Sequence, residues 1–149
     1  MPLIGLNKVK KAVDKIVDDQ NEKVKAIYIQ GLSAVITGTP VSFKDGGRLR
    51  NNWFLTVDKP SQSTRGRNNR GSASYSSLSK MPSYVLDKTI YFTNNMPYAN
   101  TVEYGGYNKN PKYGTWTGNG FQKLSQNGYS KQAPYGMVRI NLTKMRNKL

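Results

Sequence analysis

The stretch from Asn7 to Pro40, NKVKKAVDKIVDDQNEKVKAIYIQGLSAVITGTP, decides how the rest of the chain is read. Its apolar residues Val9, Val13, Ile16, Val24, Ile27, Leu32 and Val35 each lie three, four or eight residues from another, with Lys and Asp between them. That period places them on one stripe of an α-helix running from Asn7 to about Thr37. Asn7 is positioned to cap the first turn. Gly38-Thr39-Pro40 supplies the stop, since glycine tolerates positive φ and proline cannot continue the hydrogen-bond ladder. At about 1.5 Å per residue the helix is roughly 45 Å long. A small domain cannot cover all of that, so part of the apolar stripe is expected to meet a neighbouring subunit.

Beyond the helix, Val41 to Arg50 reads as a turn centred on Asp45-Gly46-Gly47, and Asn52 to Val57 (NWFLTV) is β-branched and aromatic enough for a strand. The stretch 59–83 is dominated by Ser, Asn, Gly and Arg, with few side chains to bury, and is expected to be a mobile loop. Lys88 to Thr93 gives a second strand. Paired with the Trp53 strand, it makes that loop the tip of an extended hairpin. Pro97 opens a short helix through Tyr98, Ala99, Val102 and Tyr104, closed by Gly105-Gly106. A second mobile loop is expected over about 107–131, with Trp116 and Phe121 its large apolar anchors. The C-terminal segment reads as a helix with Met137, Ile140 and Lys144 on one face, although the alternation of Val138, Ile140 and Leu142 leaves a strand open over 137–142. The sum is one α+β domain over 1–149: long N-terminal amphipathic helix, small antiparallel sheet with an extended hairpin loop, short central helix and C-terminal helix.

The 149 residues include no cysteine and no histidine. This removes disulfides, thiolate nucleophiles, imidazole bases and the commonest metal ligands together, so neither an enzyme nor a cofactor or metal site is expected. With 23 Lys and Arg against 8 Asp and Glu, the formal net charge is +15. Asp14, Asp18, Asp19 and Glu22 cluster near the N-terminus, and nothing after Glu103 is acidic. Such asymmetry points to a polyanion or an acidic protein partner. No apolar run approaches the roughly 20 residues of a membrane span, and the opening lacks a secretory pattern, so the expected site of synthesis is the cytoplasm.

Among polar candidates, Asp18 and Asp19 read as a solvated helix face, because adjacent helical residues do not face each other. Arg65, Arg67 and Arg70, on a flexible polar loop, are suited to following phosphates or contacting a neighbouring ring. Tyr75, Tyr107, Tyr113, Trp116 and Tyr129 suit a protein interface better than base stacking, since no nucleic-acid motif accompanies them. Glu103, set between Val102 and Tyr104, is expected to pair with Arg48, Arg50 or Arg139.

Three segments in order, Thr39 to Trp53 (TPVSFKDGGRLRNNW), Tyr91 to Gly105 (YFTNNMPYANTVEYG) and Ser130 to Val138 (SKQAPYGMV), resemble the tail-completion or neck proteins of long-tailed bacteriophages, a group related in pattern to minor tail protein Z of phage lambda. Lys44-Asp45 departs from the more usual Asp-Thr of that turn, and the insertion from Tyr107 to Tyr129 is longer than usual. The resemblance implies a small α/β virion subunit, assembled as a ring, commonly of six copies, between head connector and tail tube or terminator around the DNA channel. In that setting Arg48, Trp53, Tyr98, Glu103 and Tyr104 are the residues expected to serve the folded core or subunit interface, and Arg65, Arg67 and Arg70, on a loop that the resemblance does not cover, are expected to contact DNA or a neighbouring ring. A free basic nucleic-acid-binding protein is the alternative reading. Within the phage class, tail terminators and head-completion proteins share size and charge with tail-completion proteins.

Overall fold

The computed structural model describes residues 5–149. Helix α1, Leu6–Gly38, is continuous over 33 residues, about 50 Å at 1.5 Å per residue. Its start differs from expectation: Gly5 holds the cap position and Asn7 lies inside the first turn, making no side-chain cap. Its end is as expected. Thr39 turns extended and its hydroxyl donates to the Val35 carbonyl at 2.7 Å. The Arg50 guanidinium donates to the carbonyls of Thr37 and Thr39, supplying positive charge where helix carbonyls lack partners. The apolar stripe is covered over half its length. Asn21, Ile27, Gly31, Val35 and Ile36 are buried, whereas Leu6, Val9, Val13 and Ile16 are 51–61 % exposed.

Where α1 enters the body, the buried Asn21 amide accepts from the Val85 N–H at 2.7 Å and donates to the Ser83 carbonyl at 2.8 Å. A one-turn helix α2, Arg48–Asn51, follows the Asp45 turn, with the Asp45 carboxylate accepting the Leu49 N–H. Strand β1, Trp53–Val57, pairs antiparallel with β2, Ile90–Asn94, Trp53 facing Asn94 and Val57 facing Ile90. The Trp53 ring stacks on Phe92 with centroids 4.9 Å apart, and its indole N–H donates to the Thr39 hydroxyl at 2.9 Å. Around this pair gather Val35, Ile36, Leu49, Leu55, Val102 and Met137, all nearly or fully buried. Each such aliphatic side chain contributes about 1.5–3 kcal/mol on leaving water.

The connection between the strands is not a structureless loop. It contains helix α3, Ser72–Ser77, which runs into a 3-10 turn at Leu78–Lys80, and it buries Ser74, Ser77, Leu78, Met81 and Val85. The Ser74 hydroxyl accepts the Trp53 N–H at 2.9 Å, and the Ser77 hydroxyl accepts the Leu55 N–H at 2.6 Å. Two serines thus satisfy the strand edge that β2 does not reach, which a count of apolar residues could not reveal.

Helix α4, Ala99–Tyr104, follows. The second expected loop is instead two small antiparallel hairpins, β3 Thr115–Trp116 with β4 Phe121–Gln122, and β5 Ser125–Gln126 with β6 Tyr129–Ser130. The latter turns on Asn127-Gly128, both at positive φ (53° and 86°), as a two-residue hairpin turn requires. Helix α5, Arg139–Arg146, settles the C-terminal segment as helix. Its buried line is Met137, Asn141 and Met145, four residues apart, while Ile140 and Lys144 are exposed. Gly31 lets α5 lie close against α1: a Cβ there would stand 2.2 Å from the Met145 side chain.

Replacing Ser77 by Ala strands the buried Leu55 N–H, and unfolding free energy in urea is expected to fall by about 1–3 kcal/mol. An unchanged midpoint would mean that the serine–strand contact is not maintained in solution.

Candidate interaction surfaces

Glu103 lies at the end of α4, 5 % exposed. Its carboxylate accepts backbone N–H groups from Met137 at 2.6 Å, Val138 at 2.8 Å and Arg139 at 2.9 Å, and the Arg139 guanidinium at 3.2 Å. Arg139 also donates to the Glu103 carbonyl at 2.6 Å, and it covers the exposed Tyr104 ring at 5.1 Å. Of the three arginines proposed from sequence, Arg139 is the partner. Glu103 therefore caps the start of α5 from 36 residues away in sequence, placing negative charge where free helix N–H groups converge. Gly136, at φ +84°, makes this approach possible, because a Cβ there would lie 2.7 Å from the Glu103 carbonyl oxygen. Burial by itself would raise the Glu103 pKa. The hydrogen bonds from Val138, Arg139 and Met137 and from the Arg139 side chain outweigh it and hold the carboxyl below its ordinary value of 4.5.

The other residues singled out from sequence divide between core and surface. Trp53 belongs to the core. Tyr98 is half-buried, its hydroxyl hydrogen-bonded to the Asp45 carboxylate, and burial followed by that bond pushes its pKa well up. Burial and Asp45 also raise the pKa of Tyr107, which lines the same cleft beside Tyr113 and Gln132. Arg48 and Tyr104 are exposed.

The three loop arginines do not act alike. The Arg65 guanidinium lies 3.8 Å over the Phe54 ring and donates to the carbonyls of Asn51 and Trp53. Arg65 is thereby held against the fold, through one guanidinium nitrogen and the face of the Phe54 ring. Arg67 and Arg70 are exposed. Their arm is fixed by residues that sequence reading passed over. The Asn51 amide donates to the Gly66 carbonyl and accepts the Ala73 N–H. Asn52 bonds the Arg65 carbonyl and N–H. Asn95 donates to the carbonyls of Ser61 and Ser63. The signal was two Asn-Asn pairs, 51–52 and 94–95, bordering the strands.

Exposed aromatics gather on the hairpins, where Tyr113 is 86 % and Phe121 75 % exposed, with Trp116 tilted against Phe121. Among the described residues no group of three or more acids is arranged to hold a metal ion, and no helix is long and apolar enough to cross a membrane. Comparison of the chain with protein-family models, curated proteins and solved structures finds no match.

Two outcomes are expected. Glu103→Gln should lower stability at neutral pH by about 1–3 kcal/mol, since an amide nitrogen would face N–H donors. Because the folded pKa is depressed, that contribution is full above 4.5 and fades as pH falls through the folded value, so wild type and variant should converge in acid; parallel stability curves would refute the capping role. Arg65→Ser should destabilise by about 1–3 kcal/mol, while the double change Arg67→Ser and Arg70→Ser leaves the thermal midpoint within about 2 °C.

Proposed function

We propose that this chain is a structural subunit of the neck of a long-tailed bacteriophage, joining or completing the tail at the head–tail interface as part of a ring around the DNA channel. The carrying observation is that the three segments with the phage-like pattern hold one another in space. In the first and second, the Asp45 carboxylate meets the Tyr98 hydroxyl, and the Asn94 amide donates to the Leu49 carbonyl. Glu103 of the second caps Met137 and Val138 of the third. The third returns to the first through Gln132, which exchanges two hydrogen bonds with the Val41 backbone. A pattern scattered over 100 residues of sequence is thus one connected polar framework, as expected of a family signature that specifies a fold.

On this reading the work of the protein is binding. Copies of the chain, commonly six, the head connector and the tail tube or terminator are the partners, with Arg67 and Arg70 available to DNA or to an acidic ring. Tail completion is our first choice over tail termination or head completion, because the segment resemblance is to tail-completion proteins.

Light scattering on the purified chain across salt, with and without duplex DNA, tests this. The expected result is a closed oligomer, about 100 kDa for six copies of the 16.7 kDa chain. Its share should rise with salt as the +15 on each copy is screened. A monomer that binds duplex DNA tightly and releases it steeply as salt rises would overturn the reading in favour of a free nucleic-acid-binding protein.

A further inference from the structure

The uncovered half of α1 carries on the packing face of its covered half. Val9, Val13 and Ile16 are followed at spacings of three or four by Gln20, Val24, Ile27, Gly31 and Val35, so the exposed residues lie on the line that is buried further along. The body also has a place for such a face. Between α1, β2 and α5 runs an apolar groove of 340 Å³ lined by Tyr28, Leu32, Ile90, Phe92, Val138 and Leu142. An apolar cavity of roughly 150 Å³ admits a benzene-sized group, so this groove takes about two branched side chains from an incoming helix.

Charge selects the occupant. Residues 6–22 hold Asp14, Asp18, Asp19 and Glu22 against Lys8, Lys10, Lys11 and Lys15, a net charge of zero, so the whole formal +15 lies on the rest of the chain. A neutral, acid-bearing segment is what a strongly basic body can approach without repulsion. The groove is bordered by Lys88, and α5 beside it carries Lys144 and Arg146 with no acid.

We propose that the uncovered stripe of α1 docks into the α1–β2–α5 groove of a second copy of this chain. This deepens the ring reading and rests on it for the identity of the partner. Donor and acceptor surfaces differ, so each copy gives its helix to one neighbour and receives the helix of another. Such a heterologous contact closes into a ring when the rotation between copies allows.

The test uses full-length Ile16→Asp and Leu142→Asp, followed by sedimentation across concentration and salt. Both side chains are largely exposed in the single copy, at 61 % and 52 %, so each variant is expected to keep the wild-type circular dichroism and thermal midpoint. Each alone should lose self-association by at least about 30-fold. An equimolar mixture should form a one-to-one pair, because one variant keeps the groove and the other keeps the stripe. Variants that both still form the wild-type ring would overturn the docking inference and leave the ring standing. Loss of assembly in Ile16→Asp alone would assign the stripe to another surface, such as a second stripe, and overturn the groove. Failure of the mixture to pair would overturn the head-to-tail arrangement. A wild-type chain that stays monomeric throughout, its helix instead binding anionic vesicles, would overturn the inference and the self-assembled ring together.

Discussion

Four donors converge on the carboxylate of Glu103, three of them backbone N–H groups of consecutive residues. Without that carboxylate the segment entering α5 would bury unpaired donors, and the helix would have no reason to start at Arg139. Because it starts there, Met137, Asn141 and Met145 face inward, and Met145 reaches the gap left by Gly31 on α1. The crossing of α5 over α1 then forms one wall of the apolar groove. A single ionised group thereby fixes the position of the C-terminal helix and, through Val138 and Leu142, the shape of that groove. The arrangement uses charge sparingly. In a chain of net +15, this buried acid receives hydrogen bonds from the backbone as well as from an arginine, so its burial does not depend on one exposed cation.

The long connection between the two main strands shows a second way of ordering a polar segment. Hydrophobic burial contributes through Leu78, Met81 and Val85, at its far end. The Arg65 to Ala73 arm is held instead by the amides of Asn51 and Asn52, which satisfy backbone groups of the incoming chain. Each bond is worth only about 1 kcal/mol net, but leaving the groups buried and unmade would cost more, so the set acts together. Ser74 and Ser77 do the same for the outer edge of β1. The result is a small sheet with one strand covered on both edges. Its basic arm is held in place, and its two outer arginines stay in water.

Surface charge and surface shape set the terms on which this chain can associate. The apolar stripe of α1 and the aromatic tips of the hairpins are bare, and both are of the kind that association covers. A uniformly basic molecule would keep its copies apart at low salt. Here the acids near the N-terminus neutralise one segment, which leaves that segment able to approach a strongly basic body.

Periodicity and turn chemistry made much of this legible. The α1 helix, the two main strands, the short helix ending at Gly105 and the Asp45 turn follow from spacing and residue type, which act locally. Asn127-Gly128 was an equally local hairpin signal, hidden within a stretch too polar to look structured. The pairing of Glu103 with an arginine could be narrowed from sequence to three candidates, but the choice of Arg139, and the larger role of the carboxylate as a helix cap, needed residues 36 apart to meet. Sequence likewise could not tell Arg65, stacked on Phe54, from its exposed neighbours Arg67 and Arg70. Nor could it say which turns of α1 the body covers. The amino-acid sequence by itself determined the long helix, the two main strands and the short central helix, because local backbone preference and hydrophobic period are properties of neighbouring residues. Only the tertiary structure decided which polar groups are satisfied and which apolar faces stay open, because both depend on what the fold brings alongside them.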